Sequence, residues 1–287
     1  MASWSKKIQT DPPDFGRAKF IPRFLLNFIV KKRSARNVNL ISQSKTDDNI
    51  RSGLVSIVIL SCKRLEELKR LVKSLRNFLE NEETFINYEI VLVDNGSGEE
   101  LISWARGSSF FDRIIANKKN LGMALALNEA YKKVAGEYIL LIEDDFIIDY
   151  SKPFIQDCIN LFDEFPDIGI IRLKNQRNWG KRYRIIGPIR TTSSGLDFWT
   201  WIPSLNGKLN VWCAGSVIFR KISFSSTGDI PVGPNYPRSA SKHHGVLYEE
   251  DFGKKYNKFW LAAKIKNCYP FIQPNDNNES PGWEDGP

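Results

Sequence analysis

Residues 138–145, with the sequence Tyr-Ile-Leu-Leu-Ile-Glu-Asp-Asp, constrain the fold more than any other segment of the chain. Residues 138–142 carry no charge, a pattern typical of a strand inside a sheet that is covered on both faces. The strand ends in Glu143, Asp144 and Asp145, and three adjacent carboxylates repel one another unless a positive charge lies among them. A hard divalent cation, which prefers oxygen ligands, is the usual partner; an acidic turn that caps the next element in water is the alternative.

From residue 54 onward, apolar segments of strand length alternate with segments of helical periodicity. The predicted strands are 54–60, 88–93, 113–116 and 138–142, and the predicted helices are 65–79, 99–105 and 123–134. This alternation indicates an α/β fold with a mostly parallel central sheet, right-handed crossovers and flanking helices. Ligands of such sheets bind at the carboxyl ends of the strands, where Asp94 and the acidic residues 143–145 fall.

The second half of the chain has a less regular pattern. Residues 167–173 and 211–220 are predicted strands, residues 174–210 are predicted loops, and a helix is predicted within residues 248–256. We expect the tail at 273–287, rich in Asn, Pro, Gly and acids, to be disordered. The predicted organisation is an N-terminal extension and linker at 1–52, one domain at 53–272 with halves at 53–146 and 147–272, and the tail.

The net charge of +8 is concentrated near the N-terminus. Residues 1–50 carry ten Lys and Arg against four Asp and Glu, whereas a nucleic-acid-binding domain spreads or stripes its basic charge over the folded domain. We therefore expect no nucleic-acid partner. The four scattered cysteines and the polar residues after Met1 predict neither a disulfide framework nor a signal peptide, so we expect a cytoplasmic location.

An apolar segment at residues 24–30 is followed by Lys31, Lys32 and Arg33. Two interpretations fit this segment. It is either a helix that packs on the domain with its charges in water, or a peripheral contact of residues 20–36 with an anionic membrane surface. A segment this short has weak membrane affinity by itself. Residues 34–52, rich in Ser, Asn and Asp, predict a linker.

Five motifs occur in a recognisable order between residues 54 and 256. They are Val-Ser-Ile-Val-Ile-Leu-Ser-Cys-Lys-Arg, Ile-Val-Leu-Val-Asp-Asn-Gly-Ser, Asn-Leu-Gly-Met-Ala-Leu-Ala-Leu-Asn, Ile-Glu-Asp-Asp and Glu-Glu-Asp. In this order the chain resembles a GT-A glycosyltransferase of the family 2 type. The resemblance implies a Rossmann-like GT-A sheet with a mixed C-terminal part that binds the acceptor. It also implies transfer of a sugar from a nucleotide-diphosphate donor to a hydroxyl of a glycan, glycoconjugate or lipid-linked acceptor, usually with inversion and with Mn²⁺ or Mg²⁺.

The resemblance implies a role for each acid of the strand end. Asp145 matches the last acid of the family's Asp-x-Asp motif and is the expected metal ligand. Glu143 stands where the family more often has Asp, and its longer side chain is expected to reach metal-bound water or the donor ribose. Asp144 is expected to contact the ribose. Asp94 resembles the acid that binds the nucleotide base; an Asp that only opens the Asn-Gly turn is the alternative.

Ser61, Lys63 and Arg64 follow the first strand, at the family position that approaches the nucleotide. One of the two basic residues is expected to pair with phosphate, and solvated charges at a helix start are the alternative. Gly122, in the loop before the acidic strand, is expected to let backbone approach the donor.

Inverting transfer needs a base that takes the proton of the acceptor hydroxyl. In the family that base lies in a late acidic motif at the start of a helix, and Glu249-Glu250-Asp251 matches it. Asp251 is the expected base, with Glu250 second; acids that stabilise a helix N-terminus are the alternative. Some GT-A enzymes use a late histidine as an extra metal ligand, but the corresponding segment here, residues 270–274, has none.

Two other functions are compatible with parts of the pattern. Sugar nucleotidyltransferases have a comparable sheet but hold a triphosphate with a Gly-rich basic loop after the first strand, and residues 61–64 contain no glycine. A non-catalytic carbohydrate- or nucleotide-binding module is the second alternative. Such a module would not need acids at three separate strand or helix ends.

Overall fold

The computed structural model describes residues 19–44, 46–81, 86–173, 185–202, 215–232 and 246–274. The helices in these ranges are α1 (Arg23–Ser44), α2 (Leu65–Glu80), α3 (Glu99–Gly107), α4 (Met123–Lys133), α5 (Phe154–Glu164), α6 (Lys221–Ser225) and α7 (Val246–Tyr256). The strands are β1 (Lys19–Phe20), β2 (Arg51–Ser61), β3 (Tyr88–Asp94), β4 (Arg113–Ala116), β5 (Gly136–Glu143), β6 (Ile147–Ile148), β7 (Ile168–Arg172), β8 (Ile185–Ile186), β9 (Arg190–Thr191), β10 (Asp197–Ile202), β11 (Val217–Arg220), β12 (Leu261–Ile265) and β13 (Phe271–Ile272).

The first half of the chain forms the parallel part of one large sheet, as predicted. Its strand order is β5-β2-β3-β4, and every neighbouring pair in it is parallel. The register sets Ser61 opposite Asp94 and Leu60 opposite Glu143. The carboxyl ends of β2, β3 and β5 therefore meet at one edge of the sheet.

Both faces of this sheet are covered, because successive side chains of a strand point to opposite faces. On β2, Ile57 and Ile59 belong to a core cluster shared with α2, α3 and α5. The alternate residues Val58 and Leu60 belong to a second cluster shared with α4, α6 and α7. The uncharged run of β5 divides between the same two clusters, which explains why it contains no polar position.

The second half extends the sheet with mixed pairing. Strand β11 lies between β5 and β7 and is antiparallel to both, whereas β12 is parallel to β7 and β10 is antiparallel to β12. The predicted loop at 174–210 is wrong for residues 197–202, which form β10. Phe198, Trp199 and Trp201 on this strand are buried, so pairing with β12 and packing on the core decide its conformation.

The predicted linker at 34–52 is also wrong. Residues up to Ser44 continue α1, and β2 already begins at Arg51, so the predicted domain boundary at 52 falls inside a strand. Asn37 is fully buried and donates to two backbone carbonyls, those of Pro166 and Phe259, at 3.1 Å each. Asn37, a polar residue of a type common in linkers, thus attaches α1 to the domain.

Helix α1 packs on the domain through Arg33 and Asn37, as the packed interpretation predicts, whereas Phe24 and Phe28 of the apolar segment remain exposed. Arg33 donates to the backbone carbonyls of Asn257 and Trp260 at 2.7 and 3.1 Å. Burial lowers the pKa of Arg33 to about 10, against the opposing attraction of Asp167. Across the described part of the chain, no helix has both the length and the apolar character needed to cross a membrane.

Candidate functional site

The acidic residues of the predicted site lie where β5 leaves the sheet. Strand β5 ends at Glu143, and the backbone N–H of Phe146 donates back to the carbonyl of Glu143 at 3.3 Å, which closes a tight turn. Asp144 and Asp145 form the centre of this turn. These two neighbouring carboxylates have different surroundings, since the side chain of Asp144 is 5% exposed and that of Asp145 is 21% exposed.

Asp144 points into the protein and is buried. Its Oδ2 accepts hydrogen bonds from the hydroxyl of Ser61 at 2.8 Å and the backbone N–H of Cys62 at 3.2 Å, both at the end of β2. Burial raises the pKa of Asp144 to about 6, although Arg64 and Ser61 act in the opposite direction. Direct contact of Ser61 or Asp144 with a nucleotide would require these internal bonds to be given up.

Arg64 supplies a positive charge to the acidic turn from within the chain. Its Nη1 lies 3.3 Å from Oδ1 of Asp144 and 3.1 Å from Oδ2 of Asp145. Burial lowers the pKa of Arg64, but the two carboxylates outweigh that effect and the pKa is raised overall. The repulsion among adjacent carboxylates is thus relieved in part by a guanidinium, and it does not by itself require a metal ion.

Gln273 contacts the same carboxylate, which corrects the prediction of a disordered tail beginning at this residue. Its Nε2 donates to Oδ2 of Asp145 at 2.7 Å. The antiparallel pair of β13 with β6 brings this segment to the acidic turn, with Ile272 opposite Ile147. The segment resembles the place of a late histidine in related enzymes, and that position was the available signal for Gln273. Residues 275–287 lie outside the described ranges.

The donor set at this turn fits a hard cation, with fewer protein ligands than a closed site. Oδ1 of Asp145 is buried and has no hydrogen-bond partner among the described residues, so it is a carboxylate oxygen left for a ligand. Oε2 of Glu143 points toward Gly215, where an added Cβ would lie 3.4 Å from it. Within the described ranges, no group of three His, Cys, Asp or Glu side chains is arranged to hold a metal. Open positions of this kind suit a cation that also binds substrate phosphates.

Asp94 lies at the adjacent strand end and is buried. Both of its carboxylate oxygens accept from the backbone N–H of Ser97 at 3.2 Å, so it does form the turn that follows β3. Burial raises the pKa of Asp94, and the bonds from Ser97 act in the opposite direction. Lys63 is exposed in the left-handed region with φ 56°, and its backbone N–H donates to Oγ of Ser97 at 2.7 Å.

Asparagine side chains join the loops after β3 and β4. Asn95 donates to Oδ1 of Asn120 at 2.9 Å and accepts the backbone N–H of Leu121 at 3.0 Å, and Oδ1 of Asn120 accepts the N–H of Gly122 at 2.8 Å. Gly122 has φ 78° and precedes α4, a conformation that favours glycine. Asn95 was not among the predicted site residues, since an Asn-Gly pair signals a turn and hides the part its side chain plays.

The late acidic motif lies on α7. Asp251 forms an ion pair with Lys254 on the same helix, and the distance from Oδ1 to Nζ is 3.0 Å. Phe252, the next residue, is fully buried against Phe224 and Tyr256, which anchors the helix to the core. The side chain of Glu250 lies outside the described parts of the structure.

Contacts in the structure therefore join Ser61, Arg64, Asp144 and Asp145 directly, and Glu143 precedes them on β5. The sheet register places Asp94 beside Ser61, and the asparagine network links Gly122 to the loop after Asp94. Within the described residues, Cys62, Cys158 and Cys268 are free thiols. The strand-end residues from Ser61 to Asp145 thus form a polar edge, which is built from the loops after β2, β3, β4 and β5.

Two curated glycosyltransferases are similar to part of this chain. An uncharacterized glycosyltransferase of Haemophilus influenzae is 26% identical over 118 residues, 41% of this chain and 37% of that protein. A poly-beta-1,6-N-acetyl-D-glucosamine synthase of Staphylococcus epidermidis is 27% identical over 149 residues, 49% of this chain and 34% of that protein. The matched region spans about a third of the length of these relatives.

Solved structures share the fold at low sequence identity. The crystal structure of S. aureus TarS 1-349 matches with a TM-score of 0.50 and 15% identity, covering 76% of this chain and 59% of that chain. The mannosyltransferase PcManGT of Pyrobaculum calidifontis, solved with GDP-Man and Mn²⁺, matches with a TM-score of 0.51 and 13% identity, covering 85% of this chain and 67% of that chain. The family profile described as Glycosyl transferase family 2 matches residues 56–222, more than half of this chain. The chain has a GT-A fold and belongs to glycosyl transferase family 2.

Proposed function

We propose that this chain is a glycosyltransferase that moves a hexosyl group from a nucleotide-diphosphate sugar to an acceptor hydroxyl. The proposed transfer inverts the anomeric carbon and uses Mn²⁺ or Mg²⁺ at the polar edge. The main support for the proposal is Asp145, a family-motif acid in the turn after β5, whose buried Oδ1 has no hydrogen-bond partner among the described residues. The structural relative solved with GDP-Man and Mn²⁺ supports a nucleotide-sugar donor and a divalent cation.

Each residue of the edge has a distinct proposed task. A divalent cation, when bound, would neutralise the donor diphosphate and the charge that develops on the departing nucleotide. Asp145 would hold that cation with Oδ1, and Glu143 would contact it through water or bind the donor ribose. Asp94 would accept a hydrogen bond from the nucleotide base. Lys63 is exposed in the loop between β2 and α2. Gly122 would leave room for the donor at the start of α4.

The acceptor hydroxyl must lose its proton as it attacks the sugar carbon. We assign this task to Asp251, with Glu250 as the alternative, because the acidic motif on α7 matches the position of the base in the family. Asp251 is 43% exposed, and its Oδ1 lies 3.0 Å from Nζ of Lys254. The acceptor class is a glycan, a glycoconjugate or a lipid-linked sugar.

Replacing the proposed cation ligand tests the function directly. We expect Asp145→Ala to abolish sugar transfer from a panel of nucleotide sugars and to leave the circular dichroism spectrum unchanged. Asp149→Ala removes an exposed carboxylate four residues away and serves as the matched control with full activity expected. Full transfer by Asp145→Ala, or by the unmodified protein in excess chelator, would contradict the cation assignment.

We also propose that residues 20–36 contact an anionic membrane surface. Phe24 is 75% exposed and Phe28 is 68% exposed, one helical turn apart on the same face of α1. Lys31 and Lys32 follow on the exposed side of the helix. Apolar side chains flanked by lysines match the composition of interfacial helices, whose affinity rises with anionic lipid.

A further inference from the structure

Arg64 has the contacts of a residue that can change partners. A single nitrogen, Nη1, makes both ion pairs, to Asp144 at 3.3 Å and to Asp145 at 3.1 Å. Within the described ranges, no hydrogen bond uses Nε or Nη2 of Arg64, and the side chain is 19% exposed. A guanidinium has five N–H donors, and the three on Nε and Nη2 are not used by the two acids.

A metal ion bound at the acidic turn would make the position of the Arg64 guanidinium between Asp144 and Asp145 unfavourable. Glu143, Asp144, Asp145 and Arg64 together carry a formal charge of −2, which a divalent cation would balance. A cation on Oδ1 of Asp145 would then lie within a few ångströms of the guanidinium on Oδ2 of the same carboxylate. Like charges at such a distance repel strongly near a protein surface. A diphosphate offers the guanidinium a paired, forked contact in exchange.

We propose that Arg64 is an exchangeable counter-ion of this site. Its guanidinium neutralises Asp144 and Asp145 before the donor arrives, and it moves to the donor diphosphate when a divalent cation binds Asp145. Ser61 and the backbone of Cys62 remain bonded to Asp144 and keep that acid in place during the exchange. The inference rests on the proposed function, because it requires a donor with a diphosphate. Its consequence is that metal and nucleotide bind cooperatively.

The test is calorimetric titration of the full chain with MnCl₂ alone, and with UDP or GDP in the presence of Mn²⁺. For Arg64→Gln we expect affinity for Mn²⁺ alone to rise about tenfold, since a like charge has been removed. We expect affinity for the nucleoside diphosphate to fall about tenfold, since a forked phosphate contact has been lost. A residue that only held the turn in shape would lower both affinities.

Arg70→Gln is the matched control, because Arg70 is an exposed residue of α2 that pairs with Glu67. We expect it to change neither affinity. If Arg64→Gln does not fold, Arg64→Met, similar in length and uncharged, gives the same test. An unchanged or weakened affinity for Mn²⁺ alone in the folded variant overturns the exchange. Failure of the unmodified protein to bind either nucleoside diphosphate with Mn²⁺ would instead overturn the proposed function.

Discussion

Asp144 and Asp145 are chemically identical neighbours with different surroundings. Asp144 is 4% exposed and bonded to Ser61, Cys62 and Arg64, whereas Asp145 keeps a buried oxygen without a partner among the described residues. Burial of Asp144 disfavours its charged form, and a pKa of about 6 is the result. The tight turn after β5 creates the difference, because it sends one carboxylate inward and the other toward the edge.

A comparison of variants at Asp251 and Glu250 tests which of the two residues is the catalytic base. We expect Asp251→Asn to lower turnover by about 10²- to 10⁴-fold, because general-base catalysis contributes that much, while donor binding changes little. Steady-state kinetics and nucleotide titration of the same preparation measure both quantities. If Glu250→Gln shows this behaviour and Asp251→Asn does not, the base is Glu250. Near-normal turnover in both variants would remove the late acidic motif from the mechanism.

Some of the site could be predicted from the sequence because it follows the strand pattern. An acid that ends a buried parallel strand lies at the carboxyl edge, so the positions of Asp94 and Asp145 follow from the alternation of strands and helices. The partners of Asp145 do not follow in this way. Arg64 and Gln273 are separated from it by 81 and 128 residues, and only the folded chain brings these side chains together.

Helix α1 shows how an element can be misjudged when its polar residues have partners far along the chain. Asn37 alone among its neighbours is fully buried, and both of its hydrogen bonds go to backbone carbonyls more than 120 residues away. Arg36 lies over the ring of Phe259 at 3.5 Å and adds a cation–π contact to the same junction. The helix is therefore part of the domain.

Removing the Asn37 side chain tests this attachment. We expect Asn37→Ala to lower the free energy of unfolding by about 2 kcal/mol, since it removes two hydrogen bonds from a buried side chain to partly buried carbonyls. Asn39→Ala, on the exposed side of the same helix, should change it by less than about 0.5 kcal/mol. Urea unfolding followed by tryptophan fluorescence measures both. An equal free energy of unfolding for Asn37→Ala and Asn39→Ala would show that the Asn37 side chain does not attach the helix to the domain.

Hydrophobic periodicity predicts an element well when the burial of its residues follows one simple pattern. Strand β5 is buried on both faces and α2 has one apolar stripe, so both patterns are unambiguous. Strand β10 mixes Asp, Thr and aromatic residues, and its strand conformation depends on β12, which follows about 60 residues later. Long-range pairing of this kind leaves little local signal.

The whole molecule presents two separate surfaces to which we assign functions, the polar edge at the strand ends and the exposed side chains of Phe24 and Phe28 on α1. We expect the protein to float with phosphatidylserine-containing vesicles and to bind neutral phosphatidylcholine vesicles much less, because the lysines require anionic lipid. Phe24→Ser combined with Phe28→Ser should reduce flotation by at least about tenfold while sugar transfer in solution is retained. Unchanged flotation by this double variant would exclude the α1 face as the contact.

Nucleotide binding in the presence and absence of a divalent cation is the direct test of a cation site at Asp145. Asp145 is proposed to hold a cation that in turn holds the donor diphosphate, so the two ligands must depend on each other. We expect calorimetry to show UDP or GDP binding at least about tenfold more tightly in Mn²⁺ than in excess chelator, with the difference lost in Asp145→Ala. Equal affinity with and without the cation would show that the donor diphosphate is not held through a cation at Asp145.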